Sequence, residues 1–149
     1  MEGNDLGSYW SQKMVVIAEP TLFIPPADSY RFSLGKHRYG KKDVAAAQFE
    51  LNRPMLTFIV NMGQTRNIPT EIWTFIQDEE VVEELARRLE QFAGRSIVGW
   101  ETWVDEQDAV LNLKVDAAIH TVYDAEPERV EMLWGMRGHR VQRGKAPTS

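Results

Sequence analysis

The residues in this sequence that could do chemistry are three histidines and two short acidic clusters. His37, His120 and His139 lie far apart along the chain. Metal sites made from histidine usually contain a closely spaced pair of ligands, and the sequence has no such pair. We therefore predict no metal site and no histidine-based catalytic centre.

The acidic clusters offer the hard oxygen ligands that Ca²⁺ prefers. The first consists of Asp105, Glu106 and Asp108, and it lacks the glycine and the terminal glutamate of an EF-hand loop. The second occupies residues 124–128 around a proline. Both are predicted to be solvated turns. Because the sequence also lacks a phosphate-binding glycine loop and a recognisable triad, we predict no catalytic residue and no cofactor.

Two basic segments, residues 36–42 and 137–145, are the best candidates for binding a partner. Their cations could contact phosphates, and an aromatic ring in the first segment could stack on a base. They could equally dock on an acidic protein surface, which the overall net charge of −5 favours. Residues 78–131 would supply such a surface, since they contain 15 acids and five bases. The candidate residues are Lys36, His37, Arg38, Tyr39, Lys41, Lys42, Arg137, Arg140 and Arg143.

The chain ends are predicted to be arms that neighbouring molecules order. Residues 1–11 and 137–149 are polar and bury too little to offset the entropy lost on ordering. Tyr9 and Trp10 end the first arm and would serve as its anchor. Between the arms, a chain of 149 residues is long enough for one domain with its own core. We expect a single domain over residues 1–149.

The elements that must position these residues are organised around one helix. Asp78 is a good N-cap, and Val82, Leu85, Leu89 and Phe92 recur at helical spacing behind it. The pattern predicts a principal helix over about residues 79–93 with an apolar stripe that packs on a sheet.

The remaining apolar runs predict strands. Residues 54–62 form a mostly apolar run, and residues 70–76 and 96–104 are rich in β-formers. Residues 109–123 alternate between apolar and polar side chains, and residues 130–134 alternate again after a turn. The fold expected is α+β, with a mostly antiparallel sheet of about six or seven strands and a long C-terminal hairpin.

Composition limits the class of protein. The hydrophobic content is 43%, the chain has no cysteine, and no apolar run approaches the roughly 18 residues of a membrane span. The first residues lack the basic and apolar regions of a signal peptide. We expect a protein that is cytoplasmic or lies within an assembled particle, with no membrane contact.

Taken together, these features favour a non-enzymatic structural or adaptor subunit that associates with copies of itself and with other assembly proteins through sheet edges and arms. The predicted hairpin of residues 109–134 beside a single helix loosely resembles the tube and terminator proteins of tailed-virus particles, which would imply a virion component. A nucleic-acid-binding accessory protein using residues 36–42 and 137–145 is the first alternative. A small enzyme with an unrecognised site is the second.

Overall fold

The computed structural model describes residues 12–26 and 45–147. Five strands of this part form one sheet in the spatial order β5-β4-β1-β6-β7, and every neighbouring pair is parallel. Their bounds are Lys13–Ile17 (β1), Thr70–Thr74 (β4), Ile97–Thr102 (β5), Ile119–Asp124 (β6) and Gly138–Arg140 (β7). A separate antiparallel pair joins Phe23–Ile24 (β2) to Glu50–Leu51 (β3).

Helices connect the parallel strands. Their bounds are Arg53–Thr65 (α1), Glu79–Ala93 (α2), Glu106–Val115 (α3) and Pro127–Arg129 (α4), the last continuing through a wider helical turn, Val130–Trp134. Counted among themselves, the parallel strands have the order 3-2-1-4-5, which is that of doubly wound α/β folds. The predicted α+β fold with a mostly antiparallel sheet is therefore wrong, because helical crossovers rather than hairpins join the strands.

The sheet buries both of its faces. One face packs Val16 and Ile72 against α1 and α2, and the other packs Val15 and Trp73 against α3 and the turn after α4. Burial on both faces explains why β1 is almost continuously apolar rather than alternating.

Helix α2 lies where the sequence pattern placed it. The Asp78 side chain accepts hydrogen bonds from the amides of Glu80 and Val81, which satisfies donors of the first turn. Leu85 and Leu89 are buried against the sheet, whereas Phe92 is 50% exposed. The helix prediction is confirmed, and the apolar stripe is narrower than expected.

Helix α1 replaces a predicted strand. Asn52 caps it by accepting from the Met55 amide, and Pro54 fits the first turn because its missing N–H is not needed there. Met55 and Ile59, four residues apart, are both fully buried. The run over residues 54–62 is thus the inward face of a helix, which a short apolar run cannot distinguish from a strand.

The predicted C-terminal hairpin is not present in residues 109–134. Residues 106–115 form α3, and strand β6 starts only at Ile119. Residues 130–134 are helical, not a return strand. Glu126 caps α4 by accepting from the Glu128 amide, which starts a helix where we predicted a turn between two strands. The likeness to tailed-virus proteins depended on that hairpin and is withdrawn with it.

Candidate functional site

The carboxyl ends of β1 and β6 define the candidate site. In doubly wound sheets, ligands bind outside the carboxyl ends of the strands, at the point where the strand order reverses. That point lies here between β1 and β6, which are neighbours in the sheet. The chain places an irregular turn, Ala18–Leu22, directly after β1 and Asp124 at the end of β6.

Asp124 holds the centre of a buried cluster at this edge. Its carboxylate accepts from the Arg129 guanidinium at 2.7 Å (Nε to Oδ2) and 3.0 Å (Nη2 to Oδ1). The Trp134 indole N–H donates to Oδ2 at 2.7 Å, and the Glu126 amide donates to Oδ1 at 3.0 Å. A forked ion pair with two further donors satisfies the carboxylate fully, which makes its burial tolerable.

Glu19 ties the turn after β1 to the end of β4. Its Oε1 accepts from the Thr74 hydroxyl at 2.9 Å, and its Oε2 accepts from the Phe75 amide at 2.9 Å. Its backbone carbonyl accepts from Arg129 Nη2 at 2.7 Å. The side chain and backbone of one residue therefore connect β4, β1 and α4.

Burial raises the pKa of the Glu19 carboxyl to about 7, against the opposing effects of the Arg129 charge and the two hydrogen bonds to the carboxylate. A carboxyl with such a pKa can gain and lose a proton near neutral pH. The side chain is only 1% exposed. In this conformation the carboxylate accepts hydrogen bonds from its own chain and is not accessible to an external substrate.

Thr21 completes the connection across the switch point. Its hydroxyl accepts from the Ala125 amide at 2.8 Å, joining the turn after β1 to the residue after β6. Its carbonyl accepts from the Asn52 side chain at 2.9 Å, which extends the link to the start of α1. We call Glu19, Thr21, Thr74, Asp124, Arg129 and Trp134 the edge cluster, and all six are at most 2% exposed.

Most of the partner-binding residues predicted from sequence lie outside the described part of the chain. Tyr9 and Trp10 belong to residues 1–11, and the basic segment 36–42 belongs to residues 27–44. The structure therefore does not test either prediction.

The second basic segment is described, and its arginines differ in role. Arg137 donates through Nη1 to the carbonyl oxygens of Leu113 and Asp116, so it caps the end of α3. Arg140 lies on β7 with an exposed side chain, and Arg143 and Lys145 are exposed further along. Arg137 is thus a structural residue of the segment, whereas the other three cations lie on the surface.

The prediction that both acidic clusters are solvated turns is wrong. Asp124 is fully buried, because Arg129 pairs with it. Asp105 caps α3 by accepting from the Gln107 amide at 2.9 Å, and Glu106 in its first turn is 1% exposed. Of the first cluster, Asp105 and Asp108 are exposed to solvent as predicted, but they belong to the start of a helix and not to a turn.

Sequence reasoning missed the whole edge cluster. Its members are spread from Glu19 to Trp134, so no local motif joins them. One usable signal exists: Glu19, Thr74 and Asp124 each stand at or just after the end of a buried strand. That signal becomes meaningful only once the strands are known to be parallel, since their carboxyl ends then share one edge.

No protein-family model matches the chain, and no curated protein or solved structure matches it either. The fold and the edge cluster thus define the class by themselves: a doubly wound α/β protein whose switch point is filled by its own charged side chains. Within residues 12–26 and 45–147, no three or more His, Asp or Glu side chains are grouped as a metal site requires. None of the helices in these ranges has the length and apolar character needed to cross a bilayer.

Proposed function

We propose that this protein is a non-enzymatic subunit that self-associates, with the α/β body serving as a rigid carrier of its contact surfaces. The observation that carries the proposal is the closed edge cluster. Asp124 and Arg129 lie at the place where other proteins of this fold bind ligands. Here the two side chains pair with each other, and Arg129 also donates to the Glu19 carbonyl. Breaking a buried pair of this kind is costly, so its charges have little capacity left for a substrate.

Exposed apolar side chains support an association role. Leu111 and Val115 on α3 are 58% and 81% exposed, and Met132 and Met136 after α4 are 53% and 103% exposed. All four lie on the α3 side of the sheet, where Arg137 holds the segment after α4 against the end of α3. Large apolar side chains grouped on a surface mark protein contacts more often than isolated ones do.

Mass in solution tests this proposal. Light scattering on the full chain over a dilution series from about 100 µM to 1 µM should show a dimer or larger species that dissociates on dilution. A variant lacking residues 1–10 should associate more weakly, since that arm is expected to lie on neighbouring molecules. A monomer at every concentration would overturn the proposal.

A nucleic-acid-binding accessory role is the second candidate, favoured by the exposure of Arg140, Arg143 and Lys145 within six residues. It predicts salt-sensitive binding of a single-stranded oligonucleotide. When all three residues are changed to Ala, the slope of the logarithm of the binding constant against the logarithm of salt concentration should fall in magnitude by about two to three. Arg87→Ala, on the exposed face of α2, is the matched control. No binding at low salt removes this candidate.

A further inference from the structure

Strand β5 offers an open sheet edge. It is the terminal strand of the five-stranded sheet, and its outer side pairs with no other strand in the described part of the chain. Its register with β4 skips Val98, so a bulge bends the amino end and the regular edge is Gly99–Thr102. Such an edge presents unpaired backbone donors and acceptors to any extended segment that approaches.

The charges along β5 are polarised. Arg95 precedes the strand at its amino end, whereas Glu101 and Asp105 lie at its carboxyl end, and all three are exposed. A second copy that approached in parallel would place like charges together. An antiparallel copy would bring Arg95 close to Asp105 of the other chain at both ends, so the charge pattern is complementary to itself in that orientation only.

An apolar groove of about 230 Å³ runs beside the same strand. Small residues of α2, Ala86 and Ala93, form one wall, and Val98 and Trp100 of β5 form the other. Val98 is 45% exposed and Trp100 is partly exposed, so side chains of a second strand would bury apolar surface here in addition to the backbone hydrogen bonds.

From this geometry we infer that β5 pairs antiparallel with β5 of a second copy, in the register that sets Trp100 opposite Trp100. The inference rests on the self-association proposed above and names its surface. Residues directly opposite in an antiparallel pair share a face. Trp100 faces α2 beside Ile72, and Glu101 faces α3 beside Trp73. A symmetric register centred on Glu101 would oppose two carboxylates, and one centred on Gly99 would set Trp100 opposite the bulged Val98, so both are disfavoured.

Cross-linking tests the register, because the chain has no native cysteine and a single introduced thiol is unambiguous. In Trp100→Cys, the two thiols would lie on Cα atoms about 4.5–5.5 Å apart, which suits a disulfide. Mild oxidation of the full chain should give a covalent dimer. Gln142→Cys, exposed after β7 at the opposite edge of the sheet, is the control and should stay monomeric on a denaturing gel. Equal cross-linking of the two variants would overturn the register.

A charge-swap cycle tests the surface without a cysteine. Arg95→Glu and Asp105→Arg should each weaken the dimer about tenfold or more by light scattering, since each puts like charges at both ends of the paired strands. The double variant should return to within about threefold of the native affinity. If the oligomer is insensitive to both changes, its interface lies elsewhere. That result would contradict this inference and leave the proposed self-association standing. A native chain that is monomeric throughout would sink both.

Discussion

The buried Arg129 side chain is the residue on which the carboxyl edge depends most. It pairs with Asp124 through two nitrogens and donates to the Glu19 carbonyl, and it lies 5.2 Å from the centre of the Phe75 ring. One guanidinium of α4 therefore contacts residues at or just after the ends of three strands, β1, β4 and β6. Its planar fork makes these contacts in a way that a lysine ammonium could not.

Removing that guanidinium should destabilise the protein strongly. Arg129→Met leaves Asp124 buried without a counter-charge, so the free energy of unfolding should fall by about 3–5 kcal/mol in urea titrations. Arg87→Met is the control, because Arg87 pairs with Glu84 at an exposed site, and it should change stability by less than about 0.5 kcal/mol. Equal effects of the two substitutions would show that the cluster contributes no special stability.

Glu19 should make the protein less stable as pH rises. Its folded-state pKa of about 7 lies above the usual glutamate pKa of 4.5, so the folded state binds the proton more tightly than the unfolded chain does. The free energy of unfolding should therefore fall by about 2–3 kcal/mol between pH 5 and pH 8.

The matched variant for this pH effect is Glu19→Gln, which keeps the size of the side chain and cannot ionise. Its stability should vary less with pH over the same range. Some dependence of the same sign should remain, because burial also raises the pKa of Glu126. A native protein whose stability instead rises from pH 5 to pH 8 would contradict the placement of Glu19.

At the scale of elements, α3 is where sequence and structure disagree most informatively. Leu111 and Leu113 belong to the same face of a strand but to different faces of a helix. In the structure Leu113 is 6% exposed and Leu111 is 58% exposed. The alternation of apolar and polar side chains over residues 109–119 therefore arises by chance, because the segment is a helix followed by a turn and the start of a strand.

Alanine substitution separates the two descriptions of this segment. Leu113→Ala should lower the free energy of unfolding by about 2–4 kcal/mol because it opens a cavity. Leu111→Ala should change it by less than about 0.5 kcal/mol, since an exposed leucine and alanine have similar helix propensities. Similar losses from both, measured by chemical denaturation, would favour the strand.

The elements that sequence predicted correctly are those with their own local signals. Helix α2 has a cap and a four-turn apolar stripe, and the β4 and β5 strands, predicted over residues 70–76 and 96–104, are short runs rich in β-formers. Helix α1 was missed because its apolar run is nine residues long, a length that suits either element. The direction of the strands was missed for a different reason. It follows from the helical connections between strands, and three of the four had been assigned wholly or partly as strands, over residues 54–62, 109–123 and 130–134.

The edge cluster could not have been predicted from a single sequence. Trp134 and Asp124 meet only because a helical turn folds back over the end of β6, in a segment that was predicted to be extended. The Glu19–Thr74 contact joins residues 55 apart in sequence. Long-range polar contacts of this kind follow from topology, so an error in topology hides them.

At the scale of the whole molecule, the edge cluster fastens the two layers of helices to each other through the ends of the strands. Asn52 at the start of α1 reaches the Thr21 carbonyl, and Arg129 of α4 reaches the Glu19 carbonyl two residues earlier. A body joined in this way would present its β5 edge and its α3 face in a fixed geometry, which is what a subunit of an assembly requires. An enzyme that bound its substrate at this switch point would have to open the same joint in each catalytic cycle.

Amide hydrogen exchange followed by NMR at pH 6 tests most directly whether the edge stays closed. The Phe75 and Ala125 amides donate to the side chains of Glu19 and Thr21, so both report on the cluster. A permanently closed edge predicts that they exchange as slowly as amides in the centre of β1, only through global unfolding. If both exchange much faster than the β1 amides, the edge opens in the native state, and the account of a closed, non-catalytic joint is contradicted.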